Sequence, residues 1–329
     1  MAGLFLLANP WHCIAMTQLT LPDSTPVSRL SFGTMQFGGT ADTKASRALY
    51  DACRAAGITH FDTAVGYTDG ASEQLLGPMV AAEHDAVFVA TKVSYMGGAG
   101  RKNIMAQWDR SRSQLGLDYV DLLYMHRFDD DTPLEETFST LVELQQTGAI
   151  RYIGVSNYAA WQVMKAQSVA VSLGTRIDVI QPMYNLVKRQ AEVELIPMAL
   201  DQDICVVPYS PLGGGLLTGK YAAGGAGRLV DDARYTARYA QDFMHNAAEG
   251  LARIAAEVGT DAATLAVAWI LHNPAGLCPI LSARNVEQLR PSLAAADFKM
   301  TDELYARITA LSPTPAPATD RLEEAWLIS

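Results

Sequence analysis

The chain has 329 residues, of which 49% are hydrophobic and 18% are charged, a composition typical of a globular protein with ample material for a core. Its formal net charge of -10 disfavours non-specific binding to nucleic acid or to an anionic membrane surface. The length suits one large α/β domain or two modest ones.

Cysteine usage and the chain start indicate a cytoplasmic protein. The four cysteines lie far apart and form no C-x-x-C pair, so we expect no metal site and a reducing compartment. The first ten residues are apolar but lack a basic segment, and the run is short for a membrane span. Residues 1–27 are interpreted as an N-terminal extension, with disorder as one reading of it, and residues 28–329 as a single domain.

Strand and helix patterns alternate along the chain. The predicted strands are Leu30–Thr34, Thr59–Asp62, Ala86–Thr91, Val120–Met125, Tyr152–Val155, Val179–Pro182, Ile204–Pro208 and Leu277–Leu281. The predicted helices between and after them are Lys44–Ala56, Ser72–Val80, Ile104–Leu115, Leu134–Thr147, Trp161–Ser172, Val193–Leu200, Glu249–Val258 and Val286–Ala295. Gly116, Gly148 and Gly174 follow helical segments, where a left-handed C-cap is expected.

Eight strands that each precede a helix favour parallel pairing and closure into a (β/α)₈ TIM barrel. Two further helices are predicted, at Ala262–His272 before the last strand and at Asp302–Ala310 as an extra C-terminal helix. Ala222–Asn246 has little periodicity and predicts a long loop after strand seven, of the kind that often forms a lid. A doubly wound open sheet competes with this reading, but the absence of G-x-G-x-x-G from the sequence weakens it.

Four polar residues at the carboxyl ends of successive strands form a mechanistic set. They are Asp62 and Tyr67 after strand two, Lys92 at strand three and His126 at strand four. Tyrosine is a poor acid at neutral pH, and a neighbouring ammonium lowers its pKa. An Asp paired with the Lys holds that ammonium, and a His can polarise a carbonyl or relay a proton. Each residue alone has an ordinary structural interpretation, but together they predict proton donation to a carbonyl oxygen.

Six motifs in order resemble the aldo-keto reductase family. They are Gly57–Tyr67 with Gly70–Gly77, Leu115–His126, Gly148–Asn157, Ile180–Asn185, Pro208–Tyr221 and Ala283–Leu289. The resemblance runs from about residue 30 to residue 289. It implies a barrel that transfers hydride between a nicotinamide and a carbonyl or alcohol, with Tyr67 as general acid/base, Lys92 and Asp62 as its tuning pair, and His126 orienting the carbonyl.

The resemblance also implies a cofactor site. Ser156, Asn157 and Gln181 would bond the nicotinamide carboxamide, and Tyr209 would stack on its ring. The residues implied at the pyrophosphate are Ser210, Leu212, Gly214 and Lys220, with Gly33 and Thr34 near the ribose. Arg284 and Gln288 are candidates for a 2′-phosphate, which favours NADP(H), with NAD(H) as the other option. Pro291 and Ser292 replace the pair Glu-Asn that the family usually has at the adenine end.

The substrate is a small-molecule aldehyde, ketone, sugar or alcohol in this reading, with Arg127, Phe128 and Tyr158 beside it. Neither the substrate nor the direction of the reaction follows from the sequence, and a homo-oligomer stays open. An NAD-dependent sugar or pyridoxal-type dehydrogenase would share the scaffold. A nucleotide-binding, redox-sensing regulatory subunit is a second class of function, which an intact catalytic set disfavours. A barrel isomerase or lyase with Lys92 as a Schiff-base lysine ranks last.

Overall fold

A computed structural model describes residues 19–221, 224–321 and 323. Its strands are β1 (Ser31–Gly33), β2 (His60–Asp62), β3 (Phe88–Val93), β4 (Val120–Met125), β5 (Ile150–Ser156), β6 (Val179–Gln181), β7 (Cys205–Val206) and β8 (Ile280–Leu281). Its helices are α1 (Thr43–Ala55), α2 (Ala71–Ala81), α3 (Arg101–Leu115), α4 (Leu134–Gln146), α5 (Ala160–Ser172), α6 (Leu195–Asp201), α7 (Arg228–Asp231), α8 (Ala233–Arg238), α9 (Asp242–Glu257), α10 (Ala262–His272), α11 (Val286–Leu293) and α12 (Asp302–Thr309).

All eight strands pair in parallel in the order β7-β6-β5-β4-β3-β2-β1-β8. The seam between β7 and β8 is closed by two backbone hydrogen bonds, from Cys278 N to Val206 O (3.0 Å) and from Ile280 N to Pro208 O (2.9 Å). The predicted (β/α)₈ barrel is therefore confirmed, together with its extra C-terminal helix α12.

Alternation along the strands divides the core into two layers. In β3, Phe88 and Ala90 join a cluster inside the barrel, whereas Val89 joins the larger cluster between the sheet and the helices. In β4, Leu122 and Tyr124 face the interior in the same way. Successive side chains of a strand point to opposite faces, so every second residue of these strands points into the barrel.

The N-terminal segment covers one end of the barrel. Residues 1–18 lie outside the described residues. From Leu19 onwards the predicted extension is packed, because Leu19 and Leu21 are buried in the inner cluster and Arg151 donates a hydrogen bond to Thr20 O (2.9 Å). The Arg151 side chain belongs to the amino-terminal part of β5, so the segment lies at the end opposite to the strand ends that carry the predicted site.

The long segment after β7 contains more structure than the sequence predicts. The prediction of a loop over residues 222–246 is wrong in detail, because α7 and α8 form within it and α9 already begins at Asp242. Asp232 caps α8 by accepting a hydrogen bond from Arg234 N (2.9 Å). Leu229 and Tyr235 pack against Gly214, which lies just after β7. These tertiary contacts stabilise two helices that are too short to form alone.

Among the described residues, no single helix is long and apolar enough to cross a bilayer. Helices α9 and α10 meet that criterion only as a pair, and the pair is bent by 98° at the break between them.

Candidate active site

Alternation and register bring the predicted catalytic side chains to one layer of the barrel. Lys92 continues the inward-facing series of β3, and His126 continues the series of Leu122 and Tyr124 in β4. The register pairs Lys92 with Tyr124 and Asp62 with Ala90. Asp62, Lys92 and His126 lie at or next to the carboxyl ends of their strands, where barrel enzymes carry their sites.

Lys92 and Asp62 form a buried ion pair. Lys92 is fully buried, and its ammonium donates to Asp62 Oδ1 and to the carbonyl oxygen of Thr63 (2.7 Å). The second carboxylate oxygen of Asp62 accepts from Gln181 Nε2 (2.9 Å). Burial favours the neutral amine, but the facing Asp62 carboxylate and the Tyr67 hydroxyl outweigh it and raise the pKa of Lys92. The lysine therefore stays charged at neutral pH.

Tyr67 lies beside this ion pair, in a short 3₁₀ turn (Tyr67–Gly70) that follows β2. The Lys92 ammonium is 5.1 Å from the centre of the Tyr67 ring. Burial raises the pKa of Tyr67, and Lys92 acts in the opposite direction without cancelling the shift. Lys92 thus reduces the rise that burial causes, but the net shift in the pKa of Tyr67 is upward, so the hydroxyl remains protonated and able to donate.

His126 faces the same space as Tyr67. The two rings meet edge to face, with their centres 5.9 Å apart. Burial, helped by the charge of Lys92, lowers the pKa of His126 to about 3. The imidazole is therefore neutral at physiological pH, which suits hydrogen bonding to a carbonyl and not donation from an imidazolium.

The residues predicted to hold the nicotinamide carboxamide form one hydrogen-bonded group. Asn157 Nδ2 donates to His126 O (2.9 Å), and Tyr209 OH donates to Asn157 Oδ1 (2.8 Å). Ser156 Oγ donates to the carbonyl oxygen of Gln181 (2.9 Å). The structure therefore brings Ser156, Asn157, Gln181 and Tyr209 together, and Gln181 joins them directly to Asp62.

A glycine-rich turn follows β7, where the pyrophosphate is expected. Gly213, Gly214 and Gly215 all have positive φ, at 57°, 66° and 95°. A Cβ on Gly214 would lie 2.7 Å from the Tyr235 ring, so a side chain at this position would clash with that ring and the close packing requires glycine. Lys220 lies close by, because its Nζ is 3.3 Å from where a Cβ on Gly215 would be. Of the other two residues predicted here, Ser210 has φ 62° and Leu212 precedes the glycines.

Gly33 and Thr34 occupy the carboxyl end of β1. A Cβ on Gly33 would lie 2.9 Å from the Ile280 side chain of β8. Thr34 is fully buried, and its hydroxyl bonds Ser72 Oγ (2.7 Å) and the carbonyl oxygen of Asp62 (3.2 Å). In this structure both residues shape the floor of the site around Asp62.

Arg284 and Gln288 lie at the start of α11. Asn285 caps this helix by accepting from Gln288 N (2.9 Å), and Gln288 Oε1 reaches back to Arg284 N (3.4 Å). Among the described residues, none forms an ion pair or hydrogen bond with the guanidinium of Arg284. A free guanidinium at a helix start can hold an anion.

The three predicted substrate residues follow β4 and β5. The guanidinium carbon of Arg127 is 5.7 Å from the centre of the Tyr95 ring. Phe128 meets Tyr158 edge to face, with ring centres 5.0 Å apart. Tyr158 itself is buried.

Two aromatic side chains that contact this set are missing from the sequence prediction. The Tyr124 ring lies 5.6 Å from the Lys92 ammonium and packs on Gly154, where a Cβ would come within 2.4 Å of it. Its position two residues before His126 could have revealed it, because both belong to the inward-facing series of β4. The Tyr95 ring lies 4.9 Å from His126, and nothing in the sequence marks that contact across two loops.

Known proteins resemble this chain over most of its length. The family model described as "Aldo/keto reductase family" matches residues 29–313. An uncharacterized oxidoreductase, YrpG, of Bacillus subtilis is 32% identical over 89% of this chain and 94% of its own length. A probable voltage-gated potassium channel subunit beta of Oryza sativa is 32% identical over 89% and 95%. Aflatoxin B1 aldehyde reductase member 2 of Rattus norvegicus is 32% identical over 80% and 79%.

Proposed function

The chain belongs to the aldo/keto reductase family and is thereby an NAD(P)H-dependent oxidoreductase of carbonyl substrates; from this premise we propose that it reduces an aldehyde or ketone with NADPH, using Tyr67 as the proton donor. The observation that carries the proposal is the buried Lys92–Asp62 pair with the Tyr67 ring 5.1 Å from its ammonium. Such a pair has little value for stability, because desolvating two charges is costly, so its place beside a tyrosine is best explained by chemistry.

Four residues divide the work in this proposal. Tyr67 donates its hydroxyl proton to the carbonyl oxygen, and Lys92 stabilises the phenolate that remains. Asp62 holds the Lys92 ammonium in position. Neutral His126 donates a hydrogen bond to the same carbonyl oxygen and so draws charge away from the carbon.

The chemistry of the expected cofactor site supports a dinucleotide as its ligand. The positive-φ glycine turn after β7 leaves backbone free of side chains, the amide of Asn157 can pair with a carboxamide, and the guanidinium of Arg284 has no partner among the described residues. We assign the carboxamide to Ser156, Asn157 and Gln181, the ring face to Tyr209, and the pyrophosphate to Ser210, Leu212, Gly214 and Lys220. When bound, the nicotinamide supplies hydride to the carbonyl carbon. Arg284, with Gln288, favours the phosphate-bearing NADP(H), and an NAD-dependent dehydrogenase on the same scaffold is the competing assignment.

The test is turnover by the Tyr67→Phe variant. We expect kcat for reduction of 4-nitrobenzaldehyde to fall by roughly two to four orders of magnitude, the range for loss of a general acid. NADPH affinity, read by quenching of tryptophan emission, should stay within about twofold, because the hydroxyl is assigned to the proton and not to the cofactor. Near-normal turnover in this variant would remove Tyr67 from the mechanism.

A matched control is Tyr119→Phe, which removes a hydroxyl just before β4, at the opposite end of the barrel. It should leave kcat unchanged. The relative named as a channel subunit suggests a second outcome for the parent protein. If the parent oxidises one equivalent of bound NADPH and then stops, the chain acts as a redox-sensing regulator and not as a turnover enzyme.

A further inference from the structure

The Lys92 ammonium lies between two aromatic rings. Its Nζ is 5.1 Å from the centre of the Tyr67 ring and 5.6 Å from the centre of the Tyr124 ring. A cation within about 6 Å of a ring centre is attracted by the negative face of the ring, and most strongly where water is excluded. Lys92 and Tyr124 are both fully buried. Tyr124, which has no part in the proposed proton transfer, therefore acts on the same charge as Tyr67.

The register of the sheet places Tyr124 beside Lys92. The two residues are direct partners in the parallel pairing of β3 with β4. Both side chains point into the barrel, where Tyr124 belongs to the inner cluster. The contact therefore follows from the pairing of two long central strands and does not depend on a loop.

On its other side, the Tyr124 ring is seated on Gly154. Gly154 is the partner of Tyr124 in β5. A Cβ on Gly154 would lie 2.4 Å from Cδ1 and 2.5 Å from Cε1 of the ring, so the ring occupies the volume that any side chain would need. Among the described residues, Gly154 is not one of the glycines with positive φ. The backbone conformation does not require glycine here, and the close packing of the ring explains why it is present.

The ring of Tyr124, and not its hydroxyl, is the part that acts on Lys92. The Lys92 ammonium donates to Asp62 and to the carbonyl oxygen of Thr63, and it also faces the Tyr67 hydroxyl. The Tyr124 hydroxyl is buried near Gln181, where it makes no well-formed hydrogen bond. A phenylalanine at this position would keep the contact with the ammonium, whereas an aliphatic side chain would lose it.

We propose that Tyr124 is a positioning residue of the proton-donating site, whose ring, seated on Gly154, holds the Lys92 ammonium against Asp62 and beside Tyr67. This inference rests on the proposed carbonyl reduction and adds a residue to it. Tyr124 acts through Lys92 and does not itself meet the substrate. Without the ring, the ammonium loses an attractive neighbour and gains space to move away from Tyr67.

The experiment is the pH profile of kcat/KM for 4-nitrobenzaldehyde, measured on the full-length protein with saturating NADPH. Tyr124→Leu should lower kcat on the order of threefold to tenfold. It should also move the basic limb to higher pH by up to about one unit, because a displaced ammonium opposes the raised pKa of Tyr67 less strongly. Tyr124→Phe keeps the ring, so kcat should stay within about twofold and the limb should not move. NADPH affinity should stay within about twofold in both variants.

Gly154→Ala tests the seat of the ring from the other side. The added methyl group would meet two ring carbons, so the ring has to move and the ammonium with it. We expect the limb to move, as in Tyr124→Leu. In the Tyr124→Leu background the same substitution should have a smaller effect, because the ring that it displaces is gone.

The matched control is Tyr50→Leu. Tyr50 is also buried, but it lies in α1 within the outer cluster and stacks on Phe61. It should lower stability in urea without moving the basic limb. An unmoved limb in folded Tyr124→Leu, or equal shifts in Tyr124→Leu and Tyr124→Phe, would overturn the role of the ring while leaving carbonyl reduction intact.

Two further outcomes decide the remaining cases. If Tyr124→Leu does not fold, Gly154→Ala gives the answer, since an unmoved limb in that variant also contradicts the role of the ring. A parent protein that binds NADPH but does not reduce the aldehyde would refute the proposed function, and the role of Tyr124 with it.

Discussion

Replacing Lys92 by methionine should lower both stability and activity, for reasons that can be separated. The Lys92 side chain is fully buried, and its ammonium bonds Asp62 and the carbonyl oxygen of Thr63 beside the Tyr67 ring. Methionine fills similar space without a charge, so the Asp62 carboxylate would stay buried with the Gln181 amide as its remaining partner. Breaking a buried ion pair in this way costs about 3–5 kcal/mol of unfolding free energy.

The double variant Asp62→Asn/Lys92→Met removes the stranded charge. An asparagine oxygen can still accept from Gln181 Nε2, and no carboxylate has to be kept out of water. Replacing both partners of a buried pair by neutral groups is often close to neutral for stability, so we expect the double variant to regain most of the loss. Its activity should not return, because without the ammonium nothing opposes the rise that burial causes in the pKa of Tyr67. We expect kcat to fall by roughly 10²–10⁴ in both variants.

Urea unfolding followed by circular dichroism measures the first effect, and NADPH oxidation with a fixed aldehyde measures the second. Lys102→Met, on the exposed face of α3, serves as the control and should change stability by less than about 0.5 kcal/mol. If the double variant is no more stable than Lys92→Met, the stranded carboxylate is not the cause of the loss. If it regains turnover, Lys92 has no part in the chemistry.

Two further predictions concern protonation and the cofactor. Because the pKa of His126 is lowered to about 3, the pH profile of kcat/KM for reduction should show no ionisation near pH 6.5. Activity should fall only on the basic side, where Tyr67, whose pKa is raised, loses its proton. A loss of activity below pH 6.5 that disappears in His126→Gln would contradict the neutral state assigned to His126. Arg284→Gln should weaken NADPH binding by roughly tenfold or more and change NADH affinity by no more than about twofold, since only NADPH has the 2′-phosphate. Equal losses of affinity for both cofactors in a fluorescence titration would remove Arg284 from the 2′-phosphate site.

The barrel could be predicted because its strands are defined by local sequence. β3 and β4 are buried on both faces, so they appear as mostly apolar runs, interrupted by Lys92 in β3 and by Asp121 in β4. Even β7 and β8, which have two residues each, lie within predicted strands. Helices α7 and α8 were missed because their sequence has few apolar positions, and their anchors Leu229 and Tyr235 pack on Gly214, which is distant in sequence. Contacts of that kind leave no periodic signal.

The same distinction applies within the site. Asp62, Lys92 and His126 could be placed together because each lies at or next to the carboxyl end of a strand, and the strands of a parallel barrel end on one face. The pairing of Asp62 with Gln181 could not be predicted, because it joins β2 to β6 across the barrel interior. The net direction of the Tyr67 pKa is also beyond sequence reasoning, because it depends on how burial weighs against one neighbouring charge.

Backbone strain gives independent support for the location of the site. Among the described residues, eight that are not glycine have positive φ. Five of them lie at the carboxyl ends of the strands: Thr68 and Asp69 directly after Tyr67, Ser94 after β3, Asn157 after β5, and Ser210 after Tyr209. Each such residue costs about 1–3 kcal/mol, which the rest of the fold must offset. A barrel built for stability alone would place glycine or relaxed backbone there, so the strain at this end is best explained by the need to hold Tyr67, Asn157 and Tyr209 in their positions.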